Sequence, residues 1–145
     1  MPYWRLFYHF VWGTKGGEPL IEMEWESSLH NVIAAKAVEL EAMVYAVGGT
    51  DNHVHLVTSV PPKVALSAFV GQVKGNSSHW INCDLKPDYQ FAWQSEFGVV
   101  SFGGQQLDTV VRYAKNQRQH HGSGTTISGL ERVAPSDVGG AEPPP

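Results

Sequence analysis

Residues 43–60, MVYAVGGTDNHVHLVTSV, decide the fold. Two apolar, β-branched runs flank the turn formers GGTDN, which predicts two antiparallel strands joined by a tight hairpin. In a strand, residues i and i+2 share a face. Val54 and Leu56 then point into the core, and His53 and His55 stand side by side on the opposite face.

The pattern extends in both directions. Upstream, YWRLFYHFVWGT (3–14) is aromatic and β-branched and reads as a first strand, ended by Gly16, Gly17 and Pro19. From Glu22 the spacing changes. Trp25, Leu29, Val32, Ile33 and Leu40 recur at three and four, the stripe of an amphipathic helix. Downstream, Pro61-Pro62 is expected to open a second helix, buried along Leu66, Phe69, Val70, Val73, Trp80 and Ile81. DLKPD is a turn, and YQFAWQ and GVVSF read as two short strands. After Gly103-Gly104, QQLDTVVRYAKNQRQ predicts a third helix with Leu107, Val110, Val111 and Ala114 as its core stripe. The order β-α-β-β-α-β, with one further strand and helix, implies an α+β fold. It is a ferredoxin-like antiparallel sheet with helices packed on one face, plus a C-terminal helix. Residues 1–122 form that domain. Residues 123–145, rich in Gly, Ser, Thr and Pro, are expected to be a disordered tail.

Composition narrows the function. The 145 residues suit one domain, and no run of about 18 apolar residues is present, so no membrane span is expected. The apolar start lacks a basic leader and a small-residue cleavage site, so it reads as a strand and not a signal peptide. Cys83 is the only cysteine, which excludes an intrachain disulfide and a cysteine-based zinc site and fits a cytoplasmic setting. The net charge of −4 argues mildly against a nucleic-acid partner. Its distribution softens that. Residues 18–51 carry seven acids against Lys36, whereas residues 63–118 carry six bases against four acids. Ordinary charge scatter over a solvated surface explains this equally well.

Imidazole suits a borderline divalent metal, but two histidines need a third ligand. The alternative is two exposed histidines on a strand. A histidine-triad nucleotide hydrolase is disfavoured, because the third alternating place is Val57. Tyr113 and Gln117 lie four apart on the third helix, at the rim of its stripe. A rim tyrosine commonly just covers a core edge, and glutamine is common on helices. Taken with the histidines, however, the pair supplies a nucleophile and an amide oxygen able to join imidazoles around Mg²⁺ or Mn²⁺.

The segments YHFVWGTK (8–15), NHVHLV (52–57), FVGQVKGNSSHWIN (69–82), WQSEFGVVSF (93–102) and RYAKNQRQHH (112–121) together resemble the single-tyrosine HUH transposases of the IS200/IS605 type and their REP-associated relatives. The resemblance covers nearly all of residues 3–121. It implies cutting and rejoining of single-stranded DNA with Tyr113 as nucleophile, attached to a 5′ phosphate, and Mg²⁺ or Mn²⁺ held by His53, His55 and Gln117. It also implies hairpin-forming element ends as substrate, and a homodimer with exchanged tyrosine helices, for which Gly103-Gly104 is the hinge. Lys63, Lys74, Arg112, Lys115 and Arg118 are candidate phosphate contacts. Trp80 and Trp93 are candidates for base stacking, although core burial suits both better. The sequence departs from the family in its low net charge, in the acidic Glu18 where basic residues are usual, and in the tail after His121. An inactive DNA-binding relative, and a metal-dependent nucleotide hydrolase that does not need Tyr113, are the competing readings.

Overall fold

The computed structural model describes residues 3–117 and Glu131. Four strands, β1 (Phe7–Gly13), β2 (Met43–Gly49), β3 (His53–Ser59) and β4 (Gly98–Phe102), form one sheet in the order β2-β3-β1-β4, every neighbouring pair antiparallel. Helices α1 (Met23–Glu39) and α2 (Leu66–Trp80) join β1 to β2 and β3 to β4, and α3 (Leu107–Lys115) follows β4. This is the expected ferredoxin-like order with an added C-terminal helix.

The two-residue period of the strands divides the interior. Phe10, Trp12, Val54 and Leu56 face α1 and α2 and pack with Leu29, Ile33, Phe69, Val70 and Val73. On the other face Ala46 and Val57 pack against Val110 and Ala114 of α3. Both faces are therefore covered, and His55 lies fully buried under α3. A strand histidine exposed to solvent is excluded for that position.

Some boundaries differ from expectation. β1 begins at Phe7, and Tyr3 is 84% exposed. The prolines at 61 and 62 sit in a turn closed by the Val64 N–H on the Pro61 carbonyl, and α2 starts only at Leu66. α2 then continues as a π-helical segment, Ile81–Leu85. YQFAWQ forms no strand beyond a single bridge between Thr14 and Trp93. The Asn82 side chain instead takes the place of a neighbouring strand, donating to the Phe91 carbonyl and accepting from its N–H, both at 2.9 Å. Trp93 donates its indole N–H to Ser77 and stacks edge-on with Trp12 and Phe91, so it belongs to the core. Trp80 is half-buried against the same core. The expected tail from residue 123 lies outside the described residues, Glu131 excepted. Among the described residues no helix is long and apolar enough to cross a membrane.

One contact sets the height of α3 above the sheet. A Cβ on Gly48 would stand 1.6 Å from the Ala114 carbonyl oxygen. That overlap cannot be relieved by a side-chain rotation, because the obstacle is helix backbone. Gly48→Ala should therefore lift α3 while sparing α1, α2 and their core, at a cost of about 1–3 kcal/mol. Hydrogen exchange is expected to show lost protection in α3 with α2 unchanged; equal protection in both would contradict this account.

Candidate active site

The site lies between β3, β1 and α3. β3 presents His53 and His55 toward α3, their rings 4.9 Å apart and edge-on. α3 buries Val110, Tyr113 and Ala114, and Gln117 follows them at the same helical period. Tyr113 is 2% exposed and Gln117 1%. These residues thus lie in the buried face of the helix and not at its rim, as the stripe alone implied. The Tyr113 ring stands edge-on to His55 at 5.8 Å. A single chain brings all four residues together.

Hydrogen bonds fix which nitrogen of His53 faces inward. Asn52 donates from its amide nitrogen to the Gly17 carbonyl at 3.3 Å, which turns its Oδ1 toward His53. The Thr50 hydroxyl donates to the same Oδ1. His53 Nδ1, 2.9 Å from both Oδ1 and Thr50 Oγ1, is thereby the donor. Its Nε2 points to Gln117 Oε1 at 3.2 Å. Gln117 is oriented in turn, because its amide nitrogen donates to the Tyr113 carbonyl at 2.8 Å. An imidazole nitrogen and an amide oxygen, both acceptors in the neutral side chains, are thus aimed at one place.

His9, on β1, is a site residue that motif reading missed. In the β1–β3 register it lies opposite Val57, diagonal to His55 on the same face. Its Nε2 lies 2.7 Å from His55 Nδ1, with the two rings stacked at 4.8 Å. A contact that short needs one proton between the nitrogens. Burial, and then the charge of His55, push His9 down to about 3 against an opposing pull from Glu131, so His9 stays neutral and keeps an acceptor nitrogen. A cation held at His55 Nε2 would leave the shared proton on His55 Nδ1, with His9 holding the ring in place.

Glu131 also reaches the site. Its Oε1 lies 3.2 Å from His55 Nε2 and 3.5 Å from His53 Nε2, and its Oε2 accepts the Tyr113 hydroxyl. Burial alone would raise this carboxyl. The hydrogen bond and charge of His55 outweigh it, with help from Tyr113 and His53, and hold the group at about 2. Donor atoms of His53, His55 and Glu131 all lie within 4.8 Å of one another, close enough to share one cation. Two imidazoles, an amide oxygen and a carboxylate fit a divalent ion of hard or borderline character.

The expected phosphate contacts are scattered. Arg112 and Lys115 are exposed on the outer side of α3. Lys63 pairs with Glu41 at 3.1 Å on the surface. Lys74 donates to the carbonyls of Gln94 (2.6 Å) and Glu96 (3.1 Å), and burial pushes its ammonium down. Arg118 lies outside the described residues.

The family model for IS200-like transposases matches residues 2–117. The chain belongs to that family. Its fold is similar to the crystal structure of a protein assigned as a transposase from Deinococcus radiodurans R1, at 21% identity and a TM-score of 0.63 over 81% of this chain and 95% of that one. It is also similar to a REP-associated tyrosine transposase solved with a REP hairpin, at 15% identity and a TM-score of 0.62 over 99% of this chain and 98% of that one. No curated protein matches. Within this transposase fold, His9 belongs to the support of the histidine pair. His9→Phe keeps the ring volume and removes the acceptor, and should weaken Mn²⁺ binding roughly 10–100-fold with the circular dichroism spectrum unchanged. Calorimetric titration checks this, and an unaltered affinity would remove His9 from the site.

Proposed function

We propose that this transposase cuts and rejoins single-stranded DNA through a covalent tyrosine linkage. The observation that carries the proposal is the convergence of the Tyr113 hydroxyl with the inward acceptors of His53, His55 and Gln117 in a chain of the IS200-like family. Tyr113 Oη attacks the scissile phosphorus, the Oη–P bond forms, and the bond from phosphorus to the 3′ oxygen breaks. The hydroxyl proton is lost and the departing oxygen gains one, leaving a 5′-phosphotyrosine and a free 3′-OH. His53, His55 and Gln117 would hold Mg²⁺ or Mn²⁺, which would supply Lewis-acid stabilisation of the phosphoryl group. Storing the phosphodiester in the protein linkage lets the strand be rejoined without a nucleotide cofactor.

Hairpin-forming element ends are the proposed substrate, by analogy with the relative solved on a REP hairpin. Arg112 and Lys115, exposed on the outer side of α3, are the proposed phosphate contacts with the fewest competing partners among the described residues. Lys63 and Lys74 would first have to leave Glu41 and the 94–96 carbonyls. We extend the proposal to a homodimer that exchanges α3, with Gly103-Gly104 as the hinge before it; exchange is not needed to complete the site, since one chain already does so.

The test is to incubate the full chain with Mn²⁺ and single-stranded hairpin DNAs from the flanks of its own gene, then run denaturing gels. A metal-dependent covalent adduct is expected, falling roughly a thousand-fold or more in Tyr113→Phe while hairpin binding persists. Binding with no adduct in the wild type would replace this reading with that of an inactive DNA-binding relative. Arg112→Ala is expected to weaken binding to all hairpins alike and to reduce the slope of log affinity against log salt by about one. An unchanged slope would remove Arg112 from the DNA face.

A further inference from the structure

Gln117 and the two histidines form an uncharged ligand set, which is weak for Mg²⁺ or Mn²⁺, since both favour anionic oxygen. One carboxylate lies beside that set. Glu131, eighteen residues beyond Tyr113, directs Oε1 at both histidine Nε2 atoms and Oε2 at the tyrosine hydroxyl. Its side chain is only 20% exposed, so a charged group has been taken largely out of water to lie there.

The inward side of the site is crowded with acceptors. With Nδ1 of His53 engaged as a donor, neutral His53 offers a lone pair at Nε2, next to Gln117 Oε1 and Glu131 Oε1. Lone pairs at these separations repel unless positive charge lies among them. A divalent cation at their centre supplies that charge, and the donor atoms of His53, His55 and Glu131 lie within 4.8 Å of one another, close enough to share it. From this geometry we infer that Glu131 is a ligand of the divalent metal, completing a set of His53, His55, Gln117 and Glu131, and that its second oxygen fixes the Tyr113 hydroxyl beside that metal. The inference rests on the metal reading proposed above.

Glu131 gives the set a net negative charge and ties the nucleophile to the metal through one rigid carboxylate. Oε1 serves the ion while Oε2 accepts the tyrosine O–H. Metal occupancy and tyrosine position then depend on the same side chain. Motif comparison cannot supply this residue, because the family match ends at residue 117.

The full chain with Glu131→Gln, Glu131→Ala or His55→Ala is titrated with Mn²⁺, following free ion by electron paramagnetic resonance, and its Co²⁺ form is examined by ligand-field absorption. Wild-type protein should bind Mn²⁺ and His55→Ala should abolish it. Both Glu131 variants are expected to bind Mn²⁺ roughly 10–100-fold more weakly, with altered Co²⁺ bands and an unchanged melting temperature in the metal-free protein. The Co²⁺ bands report the ligand atoms themselves, which a purely structural role would not alter. Unchanged Mn²⁺ affinity and Co²⁺ bands in both Glu131 variants, with tighter hairpin binding, would overturn the inference and make Glu131 a stand-in for the DNA phosphate. If His55→Ala also bound Mn²⁺ like wild type, the metal reading itself would fail, a result distinguishable from failure at Glu131 alone.

Discussion

The site depends on the close approach of α3 to the backbone of β2 at Gly48. A helix packed over ordinary side chains lies about 10 Å from a sheet, too far for short polar groups to meet across the gap. With no Cβ at Gly48, the Ala114 carbonyl settles against the strand. The residues flanking Ala114, Tyr113 before it and Gln117 one turn later, then come down onto the histidines. Ala46 and Val57 supply the small apolar platform that holds the helix there. Tyr113, Gln117 and the two histidines are thus brought together by one missing methyl group.

Burial has a second consequence. Covering the histidine face removes water from imidazoles that would otherwise be solvated, so the orientation of His53 and His55 rests on protein partners at their Nδ1 atoms. Asn52, Thr50 and Gly17 define Nδ1 of His53, and His9 defines Nδ1 of His55. Both Nε2 atoms are left to face inward. The depressed basicity of His9 belongs to the same arrangement, because a protonated His9 would place a second positive charge against His55 and lose its acceptor. The orientation of the histidine pair is thus set by the groups behind it as much as by the pair itself.

The charges are arranged in the opposite sense inside and outside α3. Inside, Glu131 holds a carboxylate against the histidines and the tyrosine. Outside, Arg112 and Lys115 face solvent. The low net charge of the chain therefore says little about the local field around the tyrosine helix, since the acids of residues 18–51 lie mainly in and around α1.

The sequence by itself determined the order of the four strands and three helices and which side chains share a face, because these follow from local periodicity and spacing along the chain. The strand period placed the histidines on one face, and the helical period put Tyr113 and Gln117 together. Tertiary structure alone decided how those faces are used. His9 is separated from His55 by 46 residues and joins it only through strand register. Gly48 reads in the sequence as a turn glycine, and its role as a seat for α3 exists only once the helix packs. YQFAWQ has strand composition, but only Ala92 and Gln94 reach the end of β1, at Lys15 and Gly13, so the pairing stops at a single bridge and Asn82 takes the hydrogen bonds of Phe91. Glu131 stands in a stretch whose composition signals no structure at all. Its meaning comes wholly from the groups that meet it, as contacts distant in sequence leave no periodic trace in the chain.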